Sequence, residues 1–306
     1  MIGETIAKNL IEKYNPKSVL FCPYKEEMWD SMQTIYEYFD DKCGDEIAVS
    51  IMPIAYYTLS NGKIKDLNIE FGEYANRFPK YLKRRWDIII FHYPYDNLNN
   101  ITRPLLFSNE LKAFCNHLVS VGYACVGDRL PFEQELHYAG IRNSDLVISE
   151  TEEQAKRANE LTCSDKFVGW GSAKYDMIEK AEIPQEWIDR ADGRRVVLLQ
   201  SSIVPFLQDR NKLNKLESII RNYTKNPKTC LIWRPHPLYR DTIIAHHRQE
   251  LAHFETLVRM VKESPKDIYD DTKTPETAIK YADEMISDAS SLVILWKTTG
   301  KKLTMI

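Results

Sequence analysis

No stretch of this 306-residue chain approaches the ~20 consecutive apolar residues that a membrane-spanning helix needs, and no signal-peptide pattern opens it. A spanning protein is excluded, and a chain without a cleaved leader is expected. Positive charge is not in excess either: 41 Lys and Arg stand against 44 Asp and Glu, for a net charge of −3. A protein whose main partner is nucleic acid needs a basic surface to neutralise phosphates, so that class is excluded as well. The six cysteines (Cys22, Cys43, Cys115, Cys125, Cys163 and Cys230) form no C-x-x-C pair and no zinc-type spacing. Several sit in apolar, strand-like runs, where a thiol acts as a small hydrophobe. A reducing, cytoplasmic protein with no structural metal and no cofactor is the expectation.

The composition that remains, 43% hydrophobic and 28% charged, is that of a soluble enzyme, and the length suits two domains. Ile2, Ile6, Leu10 and Ile11 make Met1 to Tyr14 an amphipathic helix. Strands are predicted at Ser18 to Cys22, Ile47 to Tyr57, Asp87 to Phe91, Leu118 to Cys125, Leu146 to Ser149 and Phe167 to Gly171. Met28, Met32, Ile35 and Phe39 mark a helix after the first of these, and Ser60-Asn61-Gly62 marks a turn. From Ala181 to Arg195 the character changes, with Pro184, a charged run and Asp192-Gly193, which predicts a linker. Beyond it come a strand at Val196 to Gln200, a helix at Lys212 to Tyr223, a strand at Cys230 to Trp233 and a long helix from about Thr242 to Lys262. An Ile268-Tyr269 strand, a helix from Pro275 to Ala282, a strand at Met285-Ile286 and a final strand at Lys302 to Ile306 complete the chain. Strands alternating with helices predict doubly wound parallel sheets. The expectation is an α/β protein of GT-B architecture, two Rossmann-like domains (1–180 and 196–306, linked by 181–195) facing a cleft.

Two strand ends carry the chemistry. Cys230-Leu231-Ile232-Trp233 stops at Arg234-Pro235-His236-Pro237, where the prolines hold the chain extended. Met285-Ile286 stops at Ser287-Asp288-Ala289-Ser290-Ser291, a natural helix start. In an open parallel sheet, ligands bind past the carboxyl ends of the strands. A guanidinium, an imidazole, hydroxyls and free helix amides brought together there suit a diphosphate. Ser201 and Ser202 end the strand at Val196 to Gln200 and face the same crevice.

These stretches resemble the CDP-glycerol glycerophosphotransferase family, the teichoic-acid primases and polymerases. Arg234-Pro235-His236-Pro237 is similar to the family's Arg-x-His-Pro motif, and Ser287-Asp288-Ala289-Ser290-Ser291 to its Thr-Asp-Tyr-Ser-Ser motif. Gly171-Ser172-Ala173-Lys174-Tyr175-Asp176 looks like its Gly-x-Pro-Lys/Arg-x-Asp motif, and Pro23 to Ser31 and His92 to Asp96 resemble runs of a clostridial-type subgroup. The resemblance implies transfer of glycerol phosphate, or a related alditol phosphate, from a CDP-activated donor to a hydroxyl of a surface polymer or glycan acceptor, with release of CMP. It implies that Arg234 neutralises diphosphate oxygens and that His236 bonds or protonates one. Ser201, Ser202, Ser287, Asp288, Ser290 and Ser291 would hold the donor.

The family's Trp-His-Gly-Thr-Pro run, which carries its presumed base, has no counterpart after Leu118 to Cys125. His92, at a strand end of the first domain, is the candidate base, with Asp96 and Asp128 as alternatives. Lys174 and Asp176 read equally as hinge or cleft residues or as a simple Asp-capped helix start. His246, Glu250 and His253 share a helix face at metal-binding spacing, though no further ligands accompany them, and no metal is expected. Lys80, Lys83, Arg84 and Arg85 would touch anionic lipid at the inner face of a membrane or a polymer acceptor, or form a solvated face. Trp29, Tyr56, Tyr57, Tyr93 and Tyr95 would stack a cytosine or glycan, or pack in the core. Two other functions use the same residues: a glycosyltransferase taking a nucleotide sugar, and a GT-B protein that binds nucleotide or glycan without turnover.

Overall fold

A computed structural model describes the chain except residues 25, 55–56, 61–62, 67–82, 99–101, 103, 128, 132, 210 and 273. The chain divides into two units, Met1–Met177 and Ile178–Ile306, each built on its own parallel sheet. In the first lie β1 (Ser18–Cys22), β2 (Ala48–Ile51), a hairpin of β3 (Tyr57–Ser60) and β4 (Lys63–Asp66), β5 (Trp86–Phe91), β6 (Cys115–Val121), β7 (Leu146–Ile148) and β8 (Phe167–Val168). The main sheet runs β2-β1-β5-β6-β7-β8, parallel throughout.

β1 is buried along its whole length, as a central strand covered on both faces must be, so it reads as an unbroken apolar run. Its side chains alternate between two cores. Val19 and Phe21 join Ile88, Ile90 and the helix residues Ile6, Leu10, Ile35 and Phe39, while Leu20 and Cys22 join Ile89, Phe91 and Leu118 on the other side. The expected Met28 helix divides: Glu26–Ser31 is a 3-10 turn, and the α-helix is Gln33–Cys43, which still buries Ile35 and Phe39.

The second unit opens with a helix, Gln185–Ala191, in the stretch that the sequence presents as a linker. Trp187 is buried there, and Arg190 donates to the carbonyls of Ser264 (3.4 Å) and Asp267 (2.9 Å), which ties the helix to this unit. The strands are β9 (Arg195–Ser201), β10 (Thr229–Pro235), β11 (Ile268–Tyr269), β12 (Glu284–Ser287) and β13 (Lys302–Met305), ordered β11-β10-β9-β12-β13 and all parallel. Val197, Leu199, Leu231 and Trp233 pack on Leu216 and Ile220 of the helix Lys212–Lys225 and on Phe254, Leu257 and Val261. The single long helix expected from Thr242 to Lys262 is two, Tyr239–His246 and Leu251–Glu263, broken where His247 leaves helical conformation (φ −143°, ψ 47°).

The strand order reverses direction between β1 and β5 in the first unit and between β9 and β12 in the second. Those reversals are where doubly wound sheets open a crevice for ligands.

Candidate functional site

In the second unit the two motif strands flank β9. Register sets Arg234 of β10 and Ser287 of β12 both opposite Gln200, with Pro235 opposite Ser201. The distant segments therefore come together at the carboxyl edge of one sheet. What their side chains do there differs from the sequence expectation. Arg234 is buried and bound to Asp270 (2.7 Å), and it also donates to Thr272 Oγ1 (2.9 Å) and to the Thr272 carbonyl (3.0 Å). Its charge is already compensated within the fold, so it is not a free cation for a diphosphate. The signal missed in the sequence was the carboxylate at the end of β11: Ile268-Tyr269 stops at Asp270, as Trp233 stops at Arg234.

His236 donates its backbone N–H to the Ser201 carbonyl (2.9 Å), and its ring Nδ1 accepts from the Leu238 N–H (3.1 Å). That network assigns the proton of the neutral ring to Nε2. Burial, and then the Arg234 charge, hold the ring pKa below the usual 6.5, so near neutral pH the side chain is an uncharged donor.

The hydroxyls form an internal network. Ser201 Oγ accepts from Trp233 Nε1 (3.3 Å), and Ser287 Oγ lies 2.8 Å from Gln200 Oε1 and 2.7 Å from the Asp288 carbonyl. The Ser202 N–H meets both Asp288 carboxylate oxygens (3.0 and 3.1 Å), and the Lys212 ammonium, also buried, completes the pair at 3.1 Å. Asp288 thus holds, at the β9/β12 reversal, the lysine and the strand-end amide that an empty crevice would offer to an anion. Ser290 Oγ and the Tyr239 hydroxyl are buried with no hydrogen-bond partner among the described residues, a condition that costs roughly 1–3 kcal/mol for each such group. Ser291 is exposed, and the helix it begins, Leu292–Lys297, has six residues and so a weak dipole.

In the first unit the candidate base is engaged by partners inside the fold. His92 is fully buried, its Nε2 accepts from the Tyr24 N–H (2.7 Å), and its Nδ1 lies 2.8 Å from Ser31 Oγ, which itself donates to the Met28 carbonyl. Both ring nitrogens are engaged, and burial drives the pKa down to about 3. No lone pair is left for a substrate proton. Asp96 is likewise committed: it takes the Ser108 N–H (3.0 and 3.1 Å) and hydroxyl (2.6 Å) at the start of the helix Ser108–Ala113. Asp128 lies outside the described residues.

Lys174 and Asp176 are both engaged within the first unit. Asp176 accepts the N–H groups of Ile2 and Gly3 (2.8 Å each) and the Thr34 hydroxyl (2.8 Å), which caps the first helix from the far end of the unit. Lys174 pairs with Asp30 at 2.5 Å.

A cavity of about 350 Å³ opens beyond β5, β6 and β7. Tyr95, Tyr123 and Tyr138 line it, with ring centroids 4.7 Å apart for Tyr95–Tyr138 and the hydroxyls of Tyr95 and Tyr123 3.1 Å apart. Arg129 and Glu135 meet over two bonds (3.1 and 2.9 Å), and Glu150 accepts the N–H groups of Val126 and Gly127. Gln154 serves two ends: its amide donates to the carbonyls of Gly127 (2.6 Å) and Arg129 (2.9 Å), while its Oε1 completes the capping box of Thr151. That box, Thr151-x-x-Gln154 before a helix, was legible in the sequence; the cavity behind it was not.

The remaining candidates disperse. His253 bonds Glu217 at 2.8 Å on the neighbouring helix, the helix break separates it from His246, and no group of potential metal ligands occurs among the described residues. Arg84 stacks on Trp86 (4.0 Å) and Arg85 bonds Asn116 (2.7 Å), whereas Lys80 lies outside the described residues. No helix among the described residues is long and apolar enough to cross a membrane. Trp29 packs against Phe21 (6.2 Å) and Tyr93 stacks on Tyr24 (3.7 Å), while Tyr56 lies outside the described residues, as does the side chain of Tyr57.

No family model matches the chain, and no curated protein does. Solved structures do. A candidate UDP-N-acetylglucosamine 2-epimerase of Listeria monocytogenes aligns at 12% identity over 94% of this chain and 78% of its own, with a TM-score of 0.60. The UDP-GlcNAc 2-epimerase of Neisseria meningitidis, bound to UDP-GlcNAc, gives 13% identity, 94% and 81% coverage and a TM-score of 0.56. A variant of the wall teichoic acid polymerase TagF gives 12%, 98% and 73%, with a TM-score of 0.50. At such identities the likeness establishes the fold: two parallel-sheet α/β units, like those of GT-B enzymes.

Proposed function

We propose that the chain is a transferase that passes an alditol phosphate from a CDP-activated donor to a hydroxyl of a glycan or polymer acceptor, with CMP as the other product. The acceptor oxygen bonds to the donor's β-phosphorus, the bond from that phosphorus to the oxygen of CMP breaks, and the acceptor proton leaves late, to the departing phosphate or water. Such a transfer through a loose transition state asks the protein mainly for position and charge stabilisation.

The observation that carries the reading is two buried hydroxyls without partners among the described residues: Ser290 Oγ, just past β12, and the Tyr239 hydroxyl, which feels the charge of Asp288. Phosphate oxygens are the acceptors that such donors lack. His236, neutral with its proton on Nε2, adds a third donor for the leaving oxygen. The Asp270–Arg234 pair serves from behind, fixing β10 against β11 and keeping His236 uncharged. The second unit is thus the donor end, and the first, with its tyrosine-lined cavity, the acceptor end.

Incubation with CDP-glycerol, CDP-ribitol and UDP-sugars, followed by chromatography for CMP or UDP, tests the reading. His236→Ala is expected to lower CMP release about 10- to 100-fold, the worth of one hydrogen bond to a charged oxygen; undiminished release would remove its role. A second reading, binding without turnover, is favoured by the commitment of Arg234, His92 and Asp96 to internal partners. Tight CDP binding with no CMP release would establish it.

A further inference from the structure

We infer that the cavity beyond β5, β6 and β7 binds a neutral, hydroxylated ring, a sugar residue, and rejects a polyanionic phosphopolymer. That this ligand is the acceptor rests on the transferase reading; that it binds does not. The walls are aromatic faces and small apolar groups, with Pro94 and Pro131 beside the three tyrosines. Burial raises the pKa of Tyr95, so its phenol stays uncharged, as does the His92 ring at the rear of the cavity. Among the described lining residues, one cation, Arg129, then faces two carboxylates, Glu135 and Glu150. Arg129 is forked onto Glu135, and the lining as a whole is negative. A chain of phosphates entering here would meet repulsion and no uncompensated cation, and it would lose its hydration for nothing.

A sugar ring meets what it needs. Its C–H faces lie against tyrosine rings, and its hydroxyls find donors and acceptors at the cavity's polar points. Ser120, which is 2% exposed, and Ser149 both line the cavity. Glu150 brings acceptor oxygens held in place by the Val126 and Gly127 amides. The volume, about 350 Å³, accommodates one or two such rings but no extended polymer.

The test is saturation-transfer NMR and titration of the whole chain, without any nucleotide. Probes are neutral methyl hexosides and methyl N-acetylhexosaminides, a glycerol phosphate oligomer, and cytidine. At least one neutral glycoside is expected to bind with little dependence on salt, and the phosphate oligomer is expected not to bind. Tyr138→Ala should weaken the glycoside about three- to tenfold, while Tyr138→Phe retains it. Binding of the oligomer by the unaltered chain would overturn the inference. So would failure of every glycoside, a Tyr138→Ala chain that binds as before, or cytidine outcompeting the sugars. Because no donor is present, a chain that binds sugar yet releases no CMP would sink only the transferase reading.

Discussion

Arg234, His92 and Asp176 show how far apart a residue's chemical type and its employment can lie. An arginine at a strand end invites assignment to a phosphate, yet Arg234 with Asp270 is a buried pair, and removing one member strands the other's charge. Asp270→Ala or Arg234→Ala should therefore cost on the order of 3–5 kcal/mol in denaturant unfolding of the second unit, while Arg234→Met with Asp270→Leu should recover most of it. If the double variant is as unstable as either single one, the loss belongs to packing and not to the charges. His92 makes the matching case for pH. Its pKa falls from 6.5 in the unfolded chain to about 3 in the folded one, so between those values the unfolded state binds the extra proton. The contribution is complete above about pH 6.5 and is lost progressively as pH falls towards 3. Stability of the first unit should rise with pH across that window, and His92→Gln should flatten the slope; an unchanged slope would show that His92 is not the buried neutral group described.

At the scale of elements, the first helix depends on a residue more than 170 positions away. Asp176 takes two of the helix's free amino-end N–H groups and the Thr34 hydroxyl, so one carboxylate joins the chain's start, its second helix and the end of the unit. Asp176→Ala should cost about 1–2 kcal/mol, the range for a lost cap, and speed hydrogen exchange at Ile2 and Gly3 while leaving the second unit's amides unaffected. Equal exchange in both chains would refute the clasp. Strand identity was legible because each buried strand is an unbroken apolar run with polar residues at its end: Ser18–Cys22 and Ile268–Tyr269 fall where the sequence puts them. Boundaries were less legible. Met28 and Met32 keep a helical period across a 3-10 turn, and the apolar spacing from Ile243 to Val261 continues through the break at His247. Periodicity reports which side chains are buried, and two short helices lying on one sheet can bury the same set as one long helix.

Over the whole molecule, alternation of strands and helices sufficed to foresee two parallel α/β units, and the strand ends sufficed to foresee which segments would meet. The sequence could not show which partner each polar group takes. Asp270, Lys212 and Gln200 lie many residues from the groups they engage, and the carboxylate of Asp288 satisfies donors that spacing alone leaves open for a ligand. The cavity of the first unit was invisible for the same reason, since Tyr95, Tyr123 and Tyr138 come from three separate loops.

The proposed transferase would cleave a CDP-activated donor through groups at the β9/β12 edge. The most direct measurement is the rate of CMP formation from CDP-glycerol or CDP-ribitol, with and without a neutral glycoside, in the unaltered chain and in Ser290→Ala. CMP formation is expected to depend on the glycoside and to fall about 10-fold or more in the variant while the fold persists. No CMP from either donor, or an equal rate after loss of the Ser290 hydroxyl, would contradict it.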